Sequence, residues 1–175
     1  MVSNKKRLYI ALYPSGVVGN EEQKYHWGFL AGPKIEDEEE VLGMRYHVKN
    51  HPLHSWVFEE CQVTNVKSTI NLLARILIAK VEDEERLTAI FRNTPVVKDD
   101  PNWRCRTWVQ AVLASIERDG RAVGTSNLSW AEIEPLGREY VGKKAERGRY
   151  AVSRIGNMNL PKPTWDMLEH REIVP

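Results

Sequence analysis

The sequence predicts an α+β fold: an antiparallel sheet of four to six strands with a cysteine-bearing helix packed across it. Three observations point there. Strand-like segments fill the first half of the chain, to about residue 81. Helical periodicity replaces them from residue 83 onward. No linker or internal repeat separates the halves, so the 175 residues read as a single domain large enough to bury a full core.

Leu8 to Tyr13 forms a first strand, ended by the turn residues Pro14-Ser15-Gly16. Lys24 to Gly32 is a second, in which Tyr25, Trp27, Phe29 and Ala31 alternate with His26, Gly28, Leu30 and Gly32. Glu36 to Glu40 reads as a solvated acidic turn. Met44 to Lys49 and Trp56 to Val63 give the third and fourth strands. The apolar run within Ile70 to Val81 fits a fifth strand or a short helix, since periodicity does not separate the two. Asp83 to Asn93 places Leu87, Ile90 and Phe91 on one helical face, with acidic residues in its first turn; Thr94-Pro95 stops it. Trp103 to Arg118 is a strong amphipathic helix closed by Asp119-Gly120. Ser129 caps a further helix to about Ala145, which Gly137 and Gly142 weaken. From about residue 148 the chain is basic and proline-bearing, a tail expected to wrap the body.

Composition excludes several classes. A net charge of +1 gives no global reason to expect nucleic acid. Lys143, Lys144, Arg147, Arg149 and Arg154 read as a solvated basic face. No segment approaches the roughly 18–20 apolar residues that span a bilayer, and the apolar run after Lys5-Lys6-Arg7 is too short for a signal peptide. Two cysteines rule out a disulfide scaffold and fit a reducing compartment, so a cytoplasmic protein without a membrane partner is expected.

Cys105 is the most informative residue. It opens the 103–118 helix and lies on the stripe Trp108, Val109, Val112, Leu113 and Ile116, between Arg104 and Arg106. A helix N-terminus and nearby cations favour the thiolate, the form that attacks a carbonyl carbon. The alternative is a small core hydrophobe, a common fate of free cysteine. A cysteine nucleophile needs a base and the base an orienter. His26 is the base candidate, because Gly28 and Gly32 on its face would let a helix approach the sheet closely. His47, in the next strand, is the orienter candidate, with one inward carboxylate of the pair Glu59 and Glu60 as rival. The tryptophans at 27, 56, 103, 108 and 130 are mostly core by spacing. Trp103, outside the stripe, and Trp27 are the candidates for contact with a substrate. His47, His51, His54, Glu59, Glu60 and Cys61 include metal-ligand types. Their spacing is not helical, however, and Pro52 forbids a regular helix, so no metal and no other cofactor is expected. Cys61, in a strand without a cationic neighbour, reads as structural.

Lys24-Tyr25-His26-Trp27-Gly28-Phe29-Leu30-Ala31-Gly32 resembles the histidine strand of the permuted papain-like proteins, which include the lecithin–retinol acyltransferase relatives and the desumoylating-type isopeptidases. Arg45-Tyr46-His47-Val48 resembles their following strand, where the acyltransferase branch often carries a second histidine. Asn102-Trp103-Arg104-Cys105-Arg106-Thr107-Trp108 resembles their cysteine helix, and the order histidine, histidine, cysteine is that of the permuted group. Arg106-Thr107 stands where the acyltransferase-type cysteine is followed by a histidine. Nearly the whole chain also resembles a family of small fungal proteins of no assigned activity. The papain-like resemblance implies a circularly permuted papain-like domain and a cysteine hydrolase or acyl transferase acting on an amide, ester or thioester. Cys105, His26 and His47 would be its catalytic residues, and a small molecule or peptide its substrate. A non-catalytic binding module on the same frame is the alternative.

Overall fold

The computed structural model describes residues 4–151 and 160–175. Arg154 of the predicted basic face lies outside them. The fold is α+β, with a mixed eight-stranded sheet and three helices among the described residues. Chain order is β1 (Arg7–Pro14), β2 (Tyr25–Gly32), β3 (Gly43–His51), β4 (Ser55–Val63), β5 (Ala74–Val81), α1 (Glu84–Asn93), α2 (Cys105–Asp119), β6 (Val123–Ser126), α3 (Trp130–Glu146), β7 (Thr164–Asp166) and β8 (Arg171–Val174). In space the strands run β4-β3-β2-β1-β5-β7-β8, with β6 also paired to β5.

The sheet is larger than the predicted four to six strands and is not purely antiparallel, because β7 runs parallel to β5. The three additional strands are only three or four residues long, too short to carry a period of their own. Two of them lie in the expected tail, which here extends the sheet. β5 is a strand, and its central place explains the ambiguous run: a strand covered on both faces needs no polar alternation.

All three helices cover one face. Trp27 and Phe29 of β2, Tyr46 and Val48 of β3, and the stripe Cys105, Trp108, Val109, Val112, Leu113 and Ile116 of α2 share one apolar core. α2 ends at Gly120, whose φ of 71° is the left-handed conformation that glycine adopts without strain. Gly137, read as a weakness of α3, is a packing device: a Cβ there would lie 3.2 Å from the Trp27 indole, so its absence lets α3 close over the sheet. The opposite face carries Tyr9, Ala11, Tyr13 and Leu30 under Val41, Val66 and Leu72 from the connecting loops.

This layering corrects the expectation about Gly28 and Gly32. A Cβ on Gly28 would meet the Cβ of His47 at 3.0 Å, and one on Gly32 would meet Val66 at 2.9 Å. The glycines make room for a histidine and a loop valine, while the helix packs over the alternate residues of the strand.

Two surface readings also change. Glu36, in the predicted solvated run, is bidentate to the fully buried guanidinium of Arg75, at 2.7 and 3.0 Å. Arg75 also donates to the Thr164 hydroxyl at 3.1 Å and lies 4.4 Å from the Tyr9 ring centroid, so one cation ties the acidic loop to β7. Within the basic face, Lys144 is largely covered and pairs with Glu172 at 2.8 Å. Among the described residues no helix is long and apolar enough to cross a membrane.

Candidate functional site

Three adjacent strands build a hydrogen-bonded chain of side chains. His26 lies near the start of β2, opposite Tyr13 of β1. Its Nε2 is 2.9 Å from Nδ1 of His47 on β3, and Nε2 of His47 is 2.9 Å from Oε1 of Glu59 on β4. The β3–β4 hairpin pairs His47 with Glu59, and the bare Gly28 gives the His47 side chain the space beside His26. His47 and Glu59 stand in series, while Glu60 points elsewhere and accepts from Arg92 at 2.8 Å. Folding a hairpin about the turn residues Pro52 to His54 is the signal that would have matched Glu59 to His47.

The protonation of this chain follows from its end. Hydrogen bonds from His47, then from Lys49, hold the Glu59 carboxyl down at about 2. An ionised carboxylate only accepts, so His47 donates through Nε2 and presents a bare Nδ1. That Nδ1 accepts from Nε2–H of His26. The nitrogen of His26 left with a free lone pair is then Nδ1, the one available to a proton from elsewhere. Burial pulls the His26 pKa down to about 4, with His47 and Arg45 acting in the same direction. Burial likewise lowers that of His47, against the opposing pull of Glu59. Both rings are neutral at pH 7. Arg45 sits 3.7 Å from Glu59 and is the cross-strand partner of Cys61, so Cys61 does have a cationic neighbour; its thiol lies 3.9 Å from Glu59.

Cys105 is the first residue of α2 and is 5 % exposed. Arg104 N–H donates to the Thr107 hydroxyl at 3.1 Å, which steadies the turn. The sulfur meets the main-chain N–H groups of Trp27, Arg106 and Cys105 itself. Burial nevertheless pushes the thiol up; the Trp27 N–H, Arg104 and the helix-terminal N–H groups offset only part of it. The expected resting thiolate is thus replaced by a neutral thiol, because desolvation of the anion outweighs the dipole and the arginine.

Cys105 and His26 open onto one cleft of about 420 Å3, which Tyr13, Tyr25, Trp56 and Arg104 also line. Among the described residues no hydrogen bond joins the Cys105 thiol to the His26 ring. Strand alternation directs that ring to the face of Tyr13, 6.0 Å between centroids, while the thiol touches β2 at the Trp27 amide. The Trp27 side chain is fully buried, 5.1 Å from Trp130, and adds nothing to the cleft wall. Trp103 is buried edge-on to Trp56 at 5.9 Å and lines the neighbouring cleft. Trp56 belongs to the core, as its spacing predicts, and also lines the cleft beside the cysteine, a second role that the spacing does not show. His51 and His54 stack on each other at the hairpin tip, 4.7 Å apart. A cleft of about 580 Å3 along Thr125 to Ser129 holds none of these residues.

Residues 5–174 match a family of unknown function, DUF6914. The chain belongs to DUF6914. The match spans β1 to β8 and so includes the histidine chain and the cysteine helix. No curated protein and no solved structure matches the sequence.

The buried histidines of this DUF6914 protein give its stability a defined pH dependence. His26 protonates near 6.5 in the unfolded chain and only near 4 in the folded one. Its contribution is therefore complete above 6.5 and is lost as pH falls through that window to 4. Glu59 acts in the same direction at lower pH, from the ordinary carboxylate range down to about 2. Denaturant unfolding at pH 7 and pH 4 should differ by on the order of 3 kcal/mol from His26. A His26→Gln variant should show a visibly shallower decline, and an unchanged slope would contradict the assignment.

Proposed function

We propose that this protein is a cysteine-dependent hydrolase or acyl transferase acting on an amide, ester or thioester, built on a permuted papain-like frame. One observation carries the reading: His26, backed by His47 and Glu59, lines the same cleft as the helix-terminal Cys105. The resting pair is neutral. When the sulfur attacks a carbonyl carbon, Nδ1 of His26 takes the thiol proton, which requires an approach of roughly 3–4.5 Å in the substrate complex. The imidazolium that forms donates through Nε2 to His47, and Glu59 stabilises the charge from the far end. The Cys105 main-chain N–H, at the helix terminus, receives the developing oxyanion. His26 returns its proton to the leaving group, and water or an acceptor then releases the acyl group from sulfur. No metal or other cofactor enters this scheme. A small molecule or peptide in a reducing, cytoplasmic setting is the substrate expected.

The binding-module reading is favoured by a different observation, the burial of the thiol with its raised pKa. Turnover separates the two. A panel of p-nitrophenyl esters and short acyl thioesters should be hydrolysed by the wild-type protein and not by Cys105→Ala. The stability of Cys105→Ala should stay within about 1–2 kcal/mol, because the lost group is small. Full activity in Cys105→Ala would remove the cysteine from the chemistry.

A further inference from the structure

The two charged side chains that line the cleft at Cys105 are both cationic. No aspartate or glutamate lines it, whereas Lys49 and Arg104 both do. The two cations are not equivalent. Lys49 is spent on Glu59. Arg104 makes no ion pair among the described residues, although its neighbour Arg106 is held by both Glu22 and Glu134. Asp99 and Asp100 line the adjoining cleft with Arg104, and neither pairs with it. The guanidinium carbon lies 5.6 Å from the Trp56 ring centroid, a cation–π contact that fixes the group against the cleft wall. An unpaired, oriented guanidinium one residue from the sulfur is suited to a planar oxyanion, which it can bind in bidentate fashion.

We propose that the cleft selects substrates bearing a carboxylate within a few bonds of the carbonyl that Cys105 attacks, and that Arg104 holds that carboxylate. Trp56 supports the guanidinium through its ring, and Asn50 and Asn71 are neutral polar residues lining the same cleft. This deepens the acyl-transfer reading and rests on it for the word substrate. Recognition of the carboxylate itself requires only the cleft.

The test uses two alkylating probes of nearly equal size, iodoacetate and iodoacetamide. In both, the Cys105 sulfur displaces iodide: a C–S bond forms, the C–I bond breaks, and the thiol proton passes to buffer or to His26. Rates are read at pH 8 on the Cys105 peptide by mass spectrometry, so that Cys61 does not interfere. At that pH His26 is neutral and does not itself attract the anion. The ratio of the two rates cancels any change in the reactivity of the thiol. In the wild type it should exceed the ratio measured for glutathione in the same buffer. Arg104→Gln should lower it about tenfold, the scale of one charge-assisted pair. Succinate at millimolar concentration should also protect wild-type Cys105 from iodoacetamide, and succinamide should not; this arm holds even where Arg104→Gln does not fold. A wild-type ratio equal to that of glutathione, a ratio indifferent to Arg104→Gln, or equal protection by succinate and succinamide would overturn the proposal. An acyl-enzyme trapped without a carboxylate preference leaves the acyl-transfer reading standing alone. A carboxylate preference without any acyl-enzyme marks the reverse.

Discussion

His26→Ala should lower turnover of an activated ester by about 10²–10⁴-fold, the range contributed by a positioned general base. The reason lies in the protonation of the site. A thiolate already present at rest would need little help from a base, and the loss would be small. Burial instead raises the Cys105 thiol and keeps His26 neutral, so the proton must leave the sulfur as the new bond forms. Removing Glu59 should cost less. In Glu59→Ala the tautomers of His47 and His26 are no longer fixed from the end of the chain, yet a base remains beside the cleft. Glu60→Ala is the matched control: the same side-chain type one residue away, paired with Arg92 on the other face of β4, should leave turnover as it is. Equal losses from Glu59→Ala and Glu60→Ala would show that the effect is not transmitted through the histidines.

The largest effect on stability should come from Glu36→Ala. Its carboxylate is the charge partner of a guanidinium that is fully buried between the central strands and the acidic loop. A buried cation stripped of its partner costs about 3–5 kcal/mol. For a chain of 175 residues this corresponds to a fall in Tm of roughly 6–20 °C. Measured in an Arg75→Met background, the same Glu36→Ala change should cost far less, since no buried charge is then left unpaired. Additive losses in the two backgrounds would show that Glu36 acts through loop packing and not through the ion pair.

Much of the scaffold is legible in single segments. The α2 stripe, the alternation of β2 and the helix at 84–93 each carry a period long enough to read. What escapes is whatever depends on a partner remote in sequence. β7 has three residues and exists because β5 offers a parallel edge. Glu36 looks like one charge of a solvated run until Arg75, 39 residues away, is folded against it. Gly28 signals a close approach, and only the sheet order shows that the group approaching is His47. The site shows the same division. His26, His47 and Cys105 stand out by residue type, while the choice of Glu59 over Glu60 needs the hairpin pairing and Arg104 emerges only from its lack of a carboxylate. The state of the thiol is the clearest case: helix position and flanking arginines are local and favour the anion, but burial is a tertiary property and outweighs them.

The central claim is that Cys105 accepts an acyl group with His26 as its base. Brief incubation with p-nitrophenyl acetate at pH 7, acid quenching and peptide mass spectrometry tests it most directly. The account expects one acetyl group on Cys105, strongly diminished in His26→Ala and absent from Cys61. Equal labelling of Cys105 in the wild type and His26→Ala, or no acetyl group on Cys105 at all, would contradict it.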